Sequence, residues 1–309
     1  MYSREGIRAF VRLTGVLLIL AFFAGSLEGL IHRRSLASGL TETTCESEAF
    51  RCQELPEKVY QNLRKGDTDH PTHPADPNEN EDENADTAAP DGKTSDFPED
   101  WTERLTLTML AADFKPRTIP DEKSLSDRRS ACLTYKENAY HTLISAYRAV
   151  WADVEYFPVA SSEISFEDTW GARRDYGGER SHEGTDLFGK ITESGYYPIV
   201  SMTDGVVEQK GWLPLGGYRI GIRAPSGGYF YYAHLSSYER NFSPGETVQA
   251  GDILGYMGNT GYGAEGTFGR FPVHLHLGIY LTTPNHSELS VNPYSLLRAF
   301  RKKIRKYQY

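Results

Sequence analysis

Cysteine is scarce in this chain, which limits what can cross-link the fold or hold a metal. There are only three cysteines in 309 residues. A structural zinc site built on cysteine needs four suitably spaced donors, so that class of site is excluded. Cys45 and Cys52 lie close together, and export would allow a disulfide between them. The alternative is that both thiols, like that of Cys132, stay unpaired.

An excess of basic charge is also missing. The chain has 33 Lys and Arg against 42 Asp and Glu, a net charge of −9. Proteins bind nucleic acid phosphates through lysine and arginine, so we expect no nucleic acid partner. The acidic excess lies in residues 67–100, which have twelve acids, one base and almost no large apolar residues. Such a composition cannot offset the entropy lost on ordering, and it predicts a disordered spacer. We assign residues 32–100 to an extracytoplasmic, low-complexity acidic linker.

Long apolar runs are limited to one, near the start of the chain. Residues 1–12 contain three arginines, and residues 13–27 are almost entirely apolar. A basic region before an apolar segment is typical of a signal peptide. A membrane-spanning helix needs about 20 apolar residues, and this run reaches that length only by counting on to Ile31 across a glutamate. Residues 1–31 are therefore predicted to be a membrane anchor or a cleaved signal segment, with the rest of the chain exported in either case.

Residues 101–157 are predicted to be helical. Thr134 and Glu137 have the spacing of a capping box, and the apolar residues that follow recur at helical spacing up to Val154. A shorter helix is predicted over residues 103–112. We interpret the apolar stripe as packing on the domain that follows. The alternative is that it covers a cleft in that domain and keeps an enzyme latent.

Residues 158–300 are predicted to form a mainly β domain. Short runs of β-branched and aromatic residues alternate with glycine-containing turns from Tyr196 onward, a pattern typical of a compact antiparallel sheet. Residues 301–309 form a basic tail.

A pair of histidines lies near the end of this domain, in Val-His-Leu-His-Leu at residues 273–277. Side chains alternate between the two faces of a strand, so His274 and His276 share one face while the aliphatic residues take the other. The aliphatic face is predicted to be buried. The histidine face is then the floor of a cleft, and a rigid place for a metal.

Three other residues offer metal-binding or proton-transferring groups. His182 and Asp186 flank a turn at Gly184, and His234 ends an aromatic strand. Imidazole nitrogen and carboxylate oxygen are zinc ligands, and a catalytic zinc keeps three protein ligands and one open position. Each motif alone has an ordinary structural explanation, but together they predict a metal site.

His-x-x-x-Asp, a lone histidine after an aromatic strand and His-x-His, in this order, resemble the LytM/lysostaphin-type zinc metallopeptidases of the M23 family. The resemblance covers about residues 155–297, and no motif position is missing. It implies a split-barrel sheet with a groove across it. It also implies one Zn²⁺ bound by His182, Asp186 and His276. His234 and His274 are implied to act on water and on the transition state.

The resemblance implies a zinc-dependent endopeptidase that hydrolyses peptide bonds in bacterial peptidoglycan, in a stem peptide or a cross-bridge, through metal-activated water. Such an enzyme works outside the cytoplasm, here anchored to the membrane or secreted. The alternative is a non-catalytic or latent LytM-like scaffold that binds cell wall or division or sporulation partners. Hydrolysis of another exported peptide or ester is a third interpretation. The sequence decides neither the bond, nor which histidine is the base, nor the oligomeric state.

Two loops are predicted to border the groove. Residues 259–272, with Tyr262 and Phe268, come directly before the His-x-His strand and so reach the edge of the site. Trp212 and Leu213 are predicted to form the opposite wall. Loops placed in this way commonly set specificity.

Overall fold

The structure, a computed structural model, describes residues 4–65, 100–175 and 178–307. Its helices, in chain order, are α1 (Arg4–Leu36), α2 (Glu48–Arg51), α3 (Glu57–Lys65), α4 (Trp101–Ala111), α5 (Glu122–Trp151) and α6 (Tyr294–Phe300), with a short 3-10 helix at Thr44–Glu46. The strands are β1 (Ile164–Phe166), β2 (Arg173–Arg174), β3 (Arg180–Ser181), β4 (Thr185–Gly189), β5 (Pro198–Val200), β6 (Gly205–Leu213), β7 (Gly217–Arg223), β8 (Tyr229–Tyr238), β9 (Thr247–Val248), β10 (Ile253–Met257), β11 (Leu275–Leu281) and β12 (Leu289–Val291).

Ten of the described strands form one antiparallel sheet. Its central order is β1-β4-β11-β8-β7-β6-β9, with β12 paired to β11. The long strand β8 pairs with β11 and β7 through its first half and with β10 near its end, and β10 in turn pairs with β5. The sheet therefore divides at β8, and β2 and β3 form a separate hairpin. The predicted mainly β, antiparallel split-barrel architecture is confirmed.

Alternating side chains give the central strands one buried face and one face toward the cleft. On β11, Leu275, Leu277 and Ile279 are fully buried, whereas His276 and Tyr280 alternate with them on the cleft face. Burying a leucine or isoleucine side chain stabilises a fold by about 1.5–3 kcal/mol. This aliphatic face therefore fixes the strand, and with it the position of the histidines. The predicted division of the two faces is confirmed.

The helices α4 and α5 form a second layer. The predicted helix at 103–112 is present as α4, but the predicted capping box at Thr134 is wrong. Helix α5 starts much earlier, where the Asp121 carboxylate caps it by accepting from the Ser124 amide. The Thr134 hydroxyl instead donates to the Ser130 carbonyl, as an interior residue does. Lys136 has φ −148° and ψ 36°, so α5 consists of two helical segments that meet at a kink close to the predicted helix start.

The prediction that residues 32–100 form a linker is wrong for residues 32–65. Residues up to Lys65 include α2 and α3, whose apolar side chains Phe50, Tyr60 and Leu63 are buried. The average composition of residues 32–100 does not indicate these buried apolar residues, because charged residues between them make the average strongly polar. Residues 66–99, which hold nearly all of the acidic excess, lie outside the described residues, and the linker stays a prediction there.

The first helix does not support the predicted membrane anchor. Helix α1 runs unbroken for 33 residues, beyond the predicted end of the anchor, and ends with Arg33 and Arg34 in its last turn. Among the residues that the structure describes, none of the helices combines the length and the apolar character that crossing a membrane requires.

The three cysteines are free, so the disulfide that export would allow is not formed. The Cys52 thiol instead donates to the Glu48 carboxylate at 3.0 Å. Burial raises the pKa of Cys52 and of Cys132 to about 11, and it also raises the pKa of Cys45. All three therefore remain protonated thiols at neutral pH.

Candidate active site

The three predicted metal ligands converge on the cleft face of the sheet. Asp186 on β4 stands directly opposite His276 on β11, and His182 lies just before β4. The atoms His182 Nε2, His276 Nδ1 and Asp186 Oδ1 are 3.0–3.1 Å from one another. Two imidazole nitrogens and one carboxylate oxygen at this spacing form a set of ligands that zinc accepts.

Hydrogen bonds around this triangle show that the three residues fit a cation. His182 Nδ1 lies 3.0 Å from the Thr169 hydroxyl, which can donate or accept, and 3.1 Å from the Thr169 carbonyl oxygen, which can only accept. We therefore assign the proton to Nδ1 and a lone pair to Nε2. That lone pair faces Asp186 Oδ1, a second acceptor, at 3.1 Å. Only His276 Nδ1 can supply a proton among the three atoms. A cation bound between these atoms would remove the repulsion between the two acceptors, because both would coordinate it. The three ligand atoms therefore suit Zn²⁺.

The second oxygen of Asp186 is held by an arginine that the sequence did not indicate. Arg174 Nη2 donates to Asp186 Oδ2 at 2.6 Å, which leaves Oδ1 directed at the histidines. Burial raises the pKa of Asp186, but the imidazoles that surround the carboxylate outweigh burial and hold that pKa well below its usual value. The carboxylate is therefore ionised and fixed in orientation, as a metal ligand must be.

Gly184 is the residue that lets His276 approach His182. A Cβ atom at position 184 would lie 2.6 Å from His276 Cε1 and 2.5 Å from the Leu277 carbonyl oxygen. Both separations are far below van der Waals contact. The turn predicted here thus requires glycine because of close approach, and its backbone φ is not in the left-handed region.

His234 reaches the cleft through a β-bulge. Tyr218 pairs with Leu235 and Ile220 pairs with Tyr232, so two residues of β8, one of them His234, stand opposite Arg219 of β7. His234 has φ +62°, in the left-handed region. Simple alternation would place its ring on the core side with that of Tyr232. A bulge re-aims the side chains of its strand, and here it turns the imidazole toward the metal ligands.

His234 and His274 present unprotonated nitrogens to the same space. Each Nδ1 lies 2.8 Å from a backbone carbonyl oxygen, that of Thr260 for His234 and that of Pro272 for His274. The proton is therefore on Nδ1, and Nε2 is free to accept. The two ring centroids are 4.7 Å apart, and His274 Nε2 is 3.7 Å from Asp186 Oδ1. Burial lowers the pKa of both imidazoles, so both are neutral at neutral pH.

A cleft of about 890 Å³ surrounds these five residues, and the loops border it only partly as predicted. Tyr262 and Leu213 line it, as expected. Phe268 does not, and its side chain is 74% exposed. Trp212 lies behind the wall, where its Nε1 donates to the Gly263 carbonyl at 3.2 Å. Phe271 was missed and packs on His234, with ring centroids 4.5 Å apart.

The floor of the cleft is rich in tyrosine. Tyr229 and Tyr231 on β8 and Tyr280 on β11 line it. A Cβ at Gly221 would overlap the ring of Tyr229, and a Cβ at Gly278 would overlap the ring of Tyr280. The two glycines therefore allow these rings to pack closely on the sheet. The period-2 spacing of the tyrosines could have indicated this surface. None of the described lining residues belongs to α4 or α5, so the interpretation of a helical cover over the cleft is not supported.

Comparison with known proteins adds sequence and fold relationships. Residues 180–293 match peptidase family M23. A crystal structure of a putative glycyl-glycine endopeptidase LytM from Ruminococcus gnavus is 38% identical with a TM-score of 0.66, over 88% of this chain and 100% of that one. The L-Ala–D-Glu endopeptidase of Bacillus subtilis is 41% identical over 159 residues, 51% of this chain and 47% of that protein.

A further relative is the glycyl-glycine endopeptidase ALE-1 of Staphylococcus capitis, which is 34% identical over 84 residues, 26% of this chain and 22% of its own length. The matched part of the chain thus spans less than half the length of these two curated relatives.

Proposed function

Because the chain belongs to the M23 peptidase family, we propose that it is a zinc-dependent endopeptidase that hydrolyses peptide bonds of bacterial peptidoglycan. The observation that carries the proposal is the triangle of His182 Nε2, Asp186 Oδ1 and His276 Nδ1, with the two further imidazoles beside it. The relatives are named for two bonds, L-Ala–D-Glu in one case and glycyl-glycine in the others. The substrate is accordingly a stem peptide or a cross-bridge.

The chemistry divides between the ligands and the two remaining histidines. A zinc ion held by His182, Asp186 and His276 would make water acidic near neutral pH and polarise the scissile carbonyl. One of the two neutral imidazoles, that of His234 or that of His274, accepts the proton of the attacking water at Nε2. Once protonated, that imidazole donates to the developing oxyanion and passes the proton to the leaving amine. Their Nδ1 bonds to Thr260 and Pro272 keep the rings oriented through both steps.

The substrate fixes the place of action. Peptidoglycan lies outside the cytoplasmic membrane, so we place the catalytic domain there. The complete set of ligands and proton-transferring groups favours an enzyme over a non-catalytic scaffold, because a scaffold has no need of two imidazoles with unprotonated nitrogens aimed at the metal ligands.

The test uses the full chain with its zinc content measured, incubated with purified peptidoglycan, and identifies new amino termini by mass spectrometry. His276→Ala should lose metal and activity together. His274→Ala should keep stoichiometric zinc and lose turnover by about 10²- to 10⁴-fold, the usual range for a proton-transfer residue. Full hydrolysis by His274→Ala would contradict its role. Stoichiometric zinc with no released amine from the wild type would favour the scaffold.

A further inference from the structure

Three arginines line the cleft, and they differ in what they already contact. Arg174 is in an ion pair with Asp186 at 2.6 Å, and Arg180 donates to the Tyr262 hydroxyl at 3.3 Å. Arg219 makes one long contact, from Nη2 to the Gln209 side-chain oxygen at 3.4 Å. Its other two nitrogens, Nε and Nη1, are buried and have no hydrogen-bond partner among the described residues.

Burying guanidinium N–H groups without hydrogen-bond partners costs free energy. Arginine is always charged and carries five N–H donors in a fixed fork that matches a carboxylate. A buried donor without a partner bears its full desolvation penalty, which is larger for a charged group than for a neutral one. No carboxylate of the described residues forms an ion pair with Arg219. An anionic ligand that enters the cleft is therefore the group that would satisfy it.

Arg219 lies on the same row of the sheet as the metal ligands. Asp186 pairs with His276, His276 pairs with Ala233, and the bulge containing Ala233 stands opposite Arg219. Two strand spacings of about 4.8 Å separate Arg219 from His276, a backbone distance of about 10 Å. Ala233 between them bears only a methyl group. A peptide bound across the row therefore passes over a low floor toward the guanidinium.

We infer that Arg219 binds a carboxylate carried by the substrate residue beside the scissile bond. The inference rests on the proposed peptidase function and specifies its substrate class. An extended peptide advances about 3.5 Å per residue, so, with the reach of the arginine side chain, a group next to the cleaved amide falls within range. A glutamate linked through its side chain keeps a free α-carboxylate at that position. Glycyl-glycine offers none, so the guanidinium selects acidic stem peptide over a glycine bridge.

The test compares two substrates that differ only in charge. One is N-acetyl-L-alanyl-γ-D-glutamyl-L-lysine with a free α-carboxylate, and the other is the same peptide with that carboxylate amidated. For zinc-loaded wild type, kcat/KM should be roughly 10- to 100-fold higher on the carboxylate peptide, the range expected of a hydrogen bond to a charged group. Arg219→Gln should lose that factor on the carboxylate peptide and little on the amide.

Controls separate recognition from folding. Arg240→Gln removes the same charge from an exposed residue outside the cleft and should leave the preference unchanged. Arg219→Gln should keep the wild-type unfolding midpoint or raise it, since it removes an uncompensated buried cation. Equal losses on both peptides, or an unchanged preference in Arg219→Gln, would overturn the inference.

Binding of both peptides to the zinc-loaded protein, measured by calorimetry, distinguishes this inference from the proposed function. If neither peptide is cut and the carboxylate peptide still binds at least tenfold tighter through Arg219, the inference stands and the hydrolase proposal fails. If peptidoglycan is cut but the protein does not distinguish the two peptides, the hydrolase stands and the inference fails.

Discussion

At the scale of single residues, the proposed metal site depends on the absence of a Cβ atom at Gly184. Position 184 has no room for a Cβ, because the His276 ring occupies that space at 2.6 Å. Gly184→Ala should therefore displace the His276 ring and lose most of the bound zinc and activity. Zinc content after dialysis and kcat/KM on peptidoglycan measure both effects. Gly29→Ala, where a Cβ meets nothing within 4 Å, is the matched control and should keep both. Full zinc occupancy in Gly184→Ala would contradict this account.

The buried histidines should also make folding of the zinc-free protein sensitive to acid. Burial holds the pKa values of His234, His274 and His276 below their usual value near 6.5, so in acid the unfolded chain binds more protons than the folded one. Their contribution to stability is complete above about pH 6.5 and is lost as the pH falls through the folded-state pKa values. Each histidine contributes up to about 1.4 kcal/mol per pH unit in that window.

Urea unfolding of the zinc-free protein, measured between pH 7.5 and pH 5, checks this slope. The free energy of unfolding should fall with pH, and His234→Gln should reduce the fall. A slope equal to that of the wild type in His234→Gln would show that another group causes the acid sensitivity.

The five residues of the site could be predicted from spacing because each motif is short and the chemistry of its side chains is distinctive. The structure brings all five together. Arg174, Phe271 and Arg219 could not be found in the same way. Their importance comes from contacts across the sheet, between residues far apart in sequence, and arginine or phenylalanine in a loop or strand gives no local signal.

At the scale of elements, the helices α4 and α5 are joined by a buried ion pair. Arg129 Nε donates to Glu103 Oε1 at 2.9 Å, and both side chains are at most 5% exposed. The Tyr140 hydroxyl donates to the same oxygen, also at 2.9 Å. Glu103→Ala would leave the Arg129 guanidinium buried without this partner. We expect the free energy of unfolding to drop by about 3–5 kcal/mol.

An exposed pair on the same two helices provides the control. Arg104 and Glu122 are 2.7 Å apart, and the Glu122 side chain is 53% exposed. Glu122→Gln should change the free energy of unfolding by about 1 kcal/mol or less, since solvent screens such pairs. Urea titration of both variants under the same conditions compares them directly. Equal effects of the two substitutions would show that burial does not set the strength of the inner pair.

The strands were predictable as elements because the alternation of apolar residues and the glycine-containing turns are local signals. These signals predicted the correct fold class. Helices α2 and α3 were not, because each is short and rich in charged residues, and each gains its stability from packing on distant parts of the chain. At Lys136 the local signal was sufficient. A change of apolar pattern there predicts a helix start, and in the structure two helical segments of α5 meet at a kink at this residue.

At the scale of the whole molecule, the segment before the acidic stretch is part of the folded body. Arg51 on α2 donates to the Ser290 carbonyl at 2.9 Å, and its guanidinium lies 3.7 Å from Glu183, which lines the cleft. The Leu55 amide donates to the Ser295 hydroxyl at 3.0 Å. A protein truncated to begin at residue 101 would lose these contacts, which is why the experiments above use the full chain.

Tyr60 connects three parts of this body. Its ring centroid is 6.0 Å from that of Trp101 on α4, 5.6 Å from that of Trp151 on α5 and 5.4 Å from that of Phe300 on α6. Tyr60→Ala should create a cavity where the N-terminal helices, the helical layer and the end of the sheet domain meet. The expected loss is about 3–5 kcal/mol, as for other large aromatic-to-alanine changes in cores. Phe268→Ala, at a side chain 74% exposed, should stay within about 0.5 kcal/mol of wild type.

Urea unfolding followed by both far-ultraviolet circular dichroism and tryptophan fluorescence decides whether these parts fold together. Because Tyr60 contacts residues of both layers, its removal should move the two signals to the same lower midpoint, and zinc release should occur at that midpoint as well. A helical signal that melts early, while the sheet domain keeps the wild-type midpoint, would mean that the N-terminal segment is a separate unit. The contacts of Arg51 with Glu183 and Ser290 would then have no part in holding the cleft.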